Sequence, residues 1–116
     1  MTTVLVVDDE HIIAVMIRDF LEDEGFRVHL ALNGNEALRV MESEQIDLII
    51  TDLMMPLMRG DTFIKKLRVD PQYAHIPIIL MSAVPHAREA LGDHNIALLT
   101  KPFDLLTLLE AVEELL

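Results

Sequence analysis

The chain has 116 residues, which suits a single domain able to bury roughly 65% of the surface its unfolded form exposes. Twenty acidic against nine basic residues give a net charge of -11, which disfavours direct binding of nucleic acid and makes a divalent cation the more natural small partner. There is no cysteine, which excludes disulfides and thiolate zinc sites and suits a reducing cytoplasm.

The mean hydropathy is +0.36. No apolar run approaches the ~18 residues of a membrane helix, and Met1-Thr2-Thr3-Val4 lacks the positive charge that opens a signal peptide. The apolar excess points instead to strands buried on both faces. Val4-Leu5-Val6-Val7 reads as such a strand, ending at Asp8-Asp9-Glu10. Ile12, Ile13, Met16, Ile17, Phe20 and Leu21 recur at helical spacing, so a helix is predicted from about Glu10 to Glu24, stopped by Gly25. Arg27 to Leu32 is a second strand. Asn33-Gly34 turns into a helix that buries Ala37, Leu38 and Met41, and Asp47 to Asp52 is a third strand. A third helix is predicted with Asp61 as N-cap, burying Phe63, Ile64 and Leu67 and leaving Lys65, Lys66 and Arg68 solvated near its negative end. Val69 to His75 reads as a loop. Ile76 to Ser82 is a fourth strand, with Pro77 placed where no ladder donor is needed. Pro85 and Gly92 bracket a short helix over Pro85–Leu91. Ile96 to Lys101 is a fifth strand, and Asp104 to Leu116 a last helix with Leu105, Leu108, Leu109, Val112 and Leu116 on one face. Glu113 and Glu114 sit at the unfavourable end of its dipole, a hint that more chain follows. Five βα alternations mean an α/β fold with a parallel sheet and helices on both faces.

In an open α/β sheet, ligands gather beyond the carboxyl ends of the strands. Polar residues fall on four of those ends: Asp8 and Asp9 after the first strand, Asp52 on the third, Ser82 on the fourth and Lys101 on the fifth. Each alone has a plain structural explanation. Asp8 and Asp9 can cap a helix, Asp52 can be the polar end of a strand before the Pro56 to Gly60 loop, Ser82 can be a turn residue and Lys101 a solvated lysine. Together they point to one site. Three adjacent carboxylates repel unless a cation sits among them. Mg2+ suits, because it takes one or two carboxylates, keeps waters and shares phosphate oxygens. With a lysine and a hydroxyl, these are the parts needed to move a phosphoryl group onto a carboxylate oxygen. The histidines (His11, His29, His75, His86, His94) show no zinc spacing. Met54, Met55, Met58 and Met81 read as packing residues.

On Asp8-Asp9-Glu10, Asp52-Leu53-Met54-Met55-Pro56 with Gly60, Ser82-Ala83 and Lys101-Pro102-Phe103, the chain resembles the receiver domains of bacterial two-component response regulators, over its whole length. The resemblance implies one receiver domain over residues 1–116. It implies a flavodoxin-like, doubly wound (βα)5 fold with a five-stranded parallel sheet of order 2-1-3-4-5. It implies that Asp52 is phosphorylated by a sensor histidine kinase or a histidine phosphotransfer protein. Asp8, Asp9, Asp52 and the Met54 backbone carbonyl would hold Mg2+, Ser82 would be the switch hydroxyl, and Lys101 would pair with the phosphoryl group, before a cis peptide at Pro102. It implies a regulator with weak self-catalysed phosphotransfer and dephosphorylation rather than an enzyme. Its output partner or domain is not named by the sequence, and a monomer or weak dimer is expected.

Two features depart from the family pattern. Leu98 stands where the family usually carries Tyr or Phe, and the stretch from Ser82 to Lys101 is a few residues shorter than usual. Without a ring at position 98, the switch is expected to act through residues 83–94. A receiver-like fold that only binds proteins is argued against by the complete set Asp8, Asp9, Asp52, Ser82 and Lys101. An aspartyl-phosphate phosphatase would want a second Asp where Met54 stands.

Overall fold

Five aliphatic runs form strands β1 (Thr3–Val7), β2 (Arg27–Ala31), β3 (Leu48–Asp52), β4 (Ile78–Ser82) and β5 (Ile96–Thr100). Helices α1 (His11–Asp23), α2 (Gly34–Ser43) and α3 (Gly60–Arg68) follow the first three strands, and α4 (Leu105–Leu115) follows β5. The computed structural model describes residues 1–83 and 95–116. The helix expected over Pro85–Leu91 lies outside the described residues, as do His86 and His94.

Every strand pair is parallel, and the order is β2-β1-β3-β4-β5, as expected. Alternation of side chains divides the core into two layers. Val4, Val6, Leu48, Ile50, Ile79, Met81 and Leu99 pack with Ala14, Ile17 and Leu21 of α1 and Leu108 and Val112 of α4. Leu5, Val7, Ile49, Ile78, Leu80 and Ile96 pack with Ala37 and Met41 of α2 and Phe63, Ile64 and Leu67 of α3. A sheet buried on both faces explains the uninterrupted apolar runs. No helix among the described residues is long and apolar enough to cross a membrane.

The helices correct the sequence expectations in detail. The buried stripe of α1 is Ala14, Ile17 and Leu21, flanked by Ile13 and Phe20, whereas Ile12 is 83% exposed and Met16 is exposed too. At 3.6 residues per turn, Ile12 lies about 200° round the helix from Ala14. The small Ala14 marks the face that meets the sheet, and a pattern of large apolar residues passes over it. On α4, Leu115 packs inward and Leu116 is exposed. Asp61 is not the N-cap of α3. Arg59 occupies that position without a side-chain cap bond, and Asp61 sits in the first turn, where it accepts the Thr62 N–H and pairs with Arg59. Arg68 is not merely solvated either. Its Nη1 donates to the Ile76 carbonyl at 2.8 Å and its Nη2 to the Asn95 carbonyl at 3.5 Å, so the end of α3 is tied to the segments leading into β4 and β5.

Two other helices carry side-chain caps that the sequence reading did not name. Asn33 Oδ1 accepts the Glu36 N–H at 2.8 Å to start α2, and Asp104 Oδ1 accepts the Thr107 N–H at 2.8 Å to start α4. Gly25 ends α1 in the left-handed region, with φ of +95°. Its N–H bonds to the Glu22 carbonyl and the Phe26 N–H to the Leu21 carbonyl, the paired pattern of a Schellman cap.

A Cβ on Gly25 would meet nothing within 4 Å, so the cost of Gly25→Ala is purely conformational. The variant is expected to lose about 1 kcal/mol and to melt roughly 4–8 °C lower. A urea midpoint equal to wild type would overturn this account of the cap.

Candidate functional site

The site is built where the strand order reverses, between β1 and β3. The register Val6↔Ile50 and Val7↔Thr51 carries these strands side by side to their ends, so Asp8 and Asp52 emerge as neighbours. Asp8 is fully buried, and Asp9 is exposed. Asp8 Oδ1 accepts the Glu10 N–H at 2.9 Å. Its Oδ2 is buried with no hydrogen-bond partner among the described residues. One carboxylate oxygen from each of Asp8, Asp9 and Asp52 lies within 4.8 Å of the other two, and no histidine among the described residues belongs to this group. An all-oxygen cluster with an orphaned buried oxygen suits a hard divalent cation.

Burial pushes the Asp8 carboxyl up to about 6, because its anion has left water. The Glu10 N–H pulls against that shift, as does Lys101, while the nearby charge of Asp52 adds to it.

Asp52 is 5% exposed at the end of β3. Its Oδ1 accepts the Leu53 N–H at 3.0 Å and pairs with Lys101 Nζ at 3.0 Å. Lys101 reaches it because β5 runs beside β4, and the Lys101 N–H extends that ladder to the Ser82 carbonyl at 2.9 Å. The peptide that follows, Lys101–Pro102, is cis. Burial alone would lower the Lys101 pKa, but the hydrogen bond and charge of Asp52, with Asp8 and Glu10 behind it, outweigh burial and raise it. Ser82 is buried at the end of β4, one residue beyond Met81, the register partner of Asp52. Met54 is 61% exposed, its sulfur 3.4 Å from Arg59 Nη1.

Five of the six residues singled out from the sequence therefore converge through their side chains or strand ends, and the sixth, Met54, lies two residues along the loop from Asp52. Two contributors carry no side-chain signal. One is the Leu53 N–H on Asp52 Oδ1. The other is the backbone of Gly60, which lies so close that a Cβ would run into the Asp52 carbonyl oxygen. A Pro and a Gly in the loop after Asp52 predict a turn, but not this fit. His11 is exposed at the start of α1, His29 lies 3.7 Å from Glu44, and His75 is exposed in the α3–β4 loop. A cleft of about 450 Å³ lined by Glu42, Tyr73, His75 and their neighbours holds none of the candidate residues.

A family model described as the response regulator receiver domain matches residues 4–113. The sensor histidine kinase TmoS of Ectopseudomonas mendocina is 42% identical over 103 residues, which cover 86% of this chain and 10% of that protein. The solved structure of the Vibrio cholerae chemotaxis protein CheY4 is similar with a TM-score of 0.91 at 36% identity, covering 100% of this chain and 99% of that one. The response regulator protein TrrA of Thermotoga maritima, solved in complex with Mg2+-BeF, gives a TM-score of 0.87 at 34% identity, covering 100% of both chains. The chain spans about half the length, or less, of several curated relatives it matches.

The raised pKa of Asp8 has a defined sign. The folded state binds this proton more tightly than the unfolded chain, so the contribution is fully present below 3.8 and is lost as pH rises through about 6. The loss amounts to about 3 kcal/mol. In metal-free buffer, Asp8→Asn should therefore match wild type near pH 4 and melt increasingly above it towards pH 7. A difference in melting temperature that does not change with pH would contradict this.

Proposed function

The chain belongs to the response regulator receiver domain family, and we propose that within it Asp52 is the phosphoacceptor, supplied by a sensor histidine kinase or a histidine phosphotransfer protein. Asp52 itself carries this assignment: a nearly buried carboxylate on a strand end, paired with Lys101 at 3.0 Å and flanked by Asp8 and Asp9. Among the described residues, the two bonds to its carboxylate both fall on Oδ1, so attack is assigned to Oδ2. An Oδ2 lone pair attacks phosphorus, the P–N bond of the phosphohistidine breaks, and its electron pair leaves on the imidazole nitrogen. The product is an acyl phosphate at residue 52. Lys101 then pairs with a phosphoryl oxygen, and the Ser82 hydroxyl donates to another and reports the change.

Asp8, Asp9, Asp52 and the Met54 carbonyl are the proposed holders of Mg2+. The orphaned Asp8 Oδ2 and the all-carboxylate cluster support this choice, as does the Mg2+-BeF complex of TrrA. Bound there, Mg2+ supplies the positive charge that offsets the carboxylates and the incoming phosphoryl oxygens.

The family is regulatory, so the acyl phosphate serves as a signal. Relatives include response regulators and the sensor kinases TmoS and CckA, which supports a kinase partner. We assign residues 1–116 to one receiver unit, acting in the cytoplasm on an output partner or domain, as a monomer or weak dimer and without direct contact to nucleic acid. The absence of cysteine and the net charge of -11 support that setting.

Acetyl phosphate with Mg2+ should add one phosphoryl group to the wild type by intact-mass measurement and none to Asp52→Asn. Uptake by Asp52→Asn at the wild-type rate would sink the assignment. Mg2+ at ten to a hundred times its dissociation constant should stabilise the fold by about 1–3 kcal/mol, and a melting temperature indifferent to millimolar Mg2+ would count against the metal site.

A further inference from the structure

Thr51 breaks the pattern of β3. Leu48, Ile49 and Ile50 are aliphatic and fully buried, and Thr51 is fully buried as well. It pairs with Val7 on one side and Leu80 on the other. A hydroxyl at such a place needs a partner, and this one donates to the main-chain carbonyl oxygen of Asp52 at 3.1 Å. That carbonyl lies one residue past the last β1–β3 pair, Val7↔Thr51.

The same peptide unit carries the Leu53 N–H at its other end. This N–H faces the Met81 carbonyl at 3.0 Å and Asp52 Oδ1 at 3.0 Å. Because a peptide is planar and stiff, one plane is anchored by the Thr51 hydroxyl and in turn anchors the carboxylate oxygen that pairs with Lys101. Gly60 packs against the same carbonyl, where no Cβ fits. Rotation of this plane would swing the Leu53 N–H off Oδ1 and reorient the whole carboxylate.

We propose that Thr51 is a positioning residue for Asp52: its buried hydroxyl fixes the Asp52–Leu53 peptide, and through it the orientation of the phosphoacceptor carboxylate. The inference rests on Asp52 being the phosphoacceptor. A threonine that only satisfies its own hydroxyl would affect stability and leave the rate of phosphoryl uptake per folded molecule unchanged.

Wild type, Thr51→Val and Thr51→Ser are compared for uptake from phosphoramidate with Mg2+, followed by intact mass against donor concentration. The Leu53 amide resonance and the melting temperature are recorded for each. Thr51→Val, nearly the same shape without the donor, should show a saturating rate about three- to tenfold lower, the scale of one neutral hydrogen bond, and a shifted Leu53 amide. Thr51→Ser should restore the rate to within about twofold of wild type. Should the valine variant fail to fold, Thr51→Ala takes its place with the same expectation. A hydroxyl-free variant that takes up phosphoryl at the wild-type rate overturns the inference whatever its melting temperature, as does a serine variant as slow as the hydroxyl-free one. No uptake by wild type would instead refute the assignment of Asp52, and an unmoved Leu53 amide in the hydroxyl-free variant would then still overturn the positioning role.

Discussion

The ion pair between Lys101 and Asp52 is the contact on which the site depends. Taking two charges out of water is expensive, and the attraction between them repays the cost only with close geometry and further hydrogen bonds. Here the geometry comes from the sheet. Three adjacent parallel strands bring a carboxylate and an amine to 3.0 Å, and the Leu53 N–H supplies a further bond to the same oxygen. One lysine does not neutralise three carboxylates, so the cluster stays electron-rich, and among the described residues Asp8 Oδ2 has no hydrogen-bond partner. The cluster thus carries more negative than positive charge.

Much of the fold was legible because a sheet with two buried faces writes itself as aliphatic runs, and Val4–Val7, Leu48–Ile50 and Ile78–Met81 are such runs. The site was legible because its side chains sit on strand ends, where the α/β architecture makes position informative. What was missed lay in smaller signals. Ala14 marks the inner face of α1, yet Ile12 and Met16 are larger and drew the stripe away from it. Asp61 has the chemistry of a cap, but the N-cap is Arg59, two positions earlier, and α3 begins at Gly60. The Leu53 N–H has no side-chain signature at all. Asp8 and Asp9 looked equivalent in sequence, whereas Asp8, directly after Val7, is still buried and Asp9, one residue further from the end of β1, is exposed.

Leu98 illustrates a departure whose packing could not be read in advance. It is half-buried and packs against the layer formed with α2 and α3, pairing with Leu80 across the ladder. An aliphatic side chain seated there contributes to the core and offers no polar tip that could exchange partners. Whatever distinguishes the two signalling states of this domain has to be read from other residues than a rotating ring on β5.

The tie made by Arg68 gives the sheet a mechanical polarity. Its guanidinium holds the carbonyls of Ile76 and Asn95, and Asn95 in turn donates to the His75 carbonyl at 3.0 Å, so the roots of β4 and β5 are bolted to the end of α3. At the opposite tips stand Ser82 and Lys101, joined to each other by one ladder bond. The two strands are therefore tied to α3 at the end away from the candidate site, and to their neighbours by ladder bonds along their length. A change beside Asp52 is thus separated from that tie by the full five-residue length of β4.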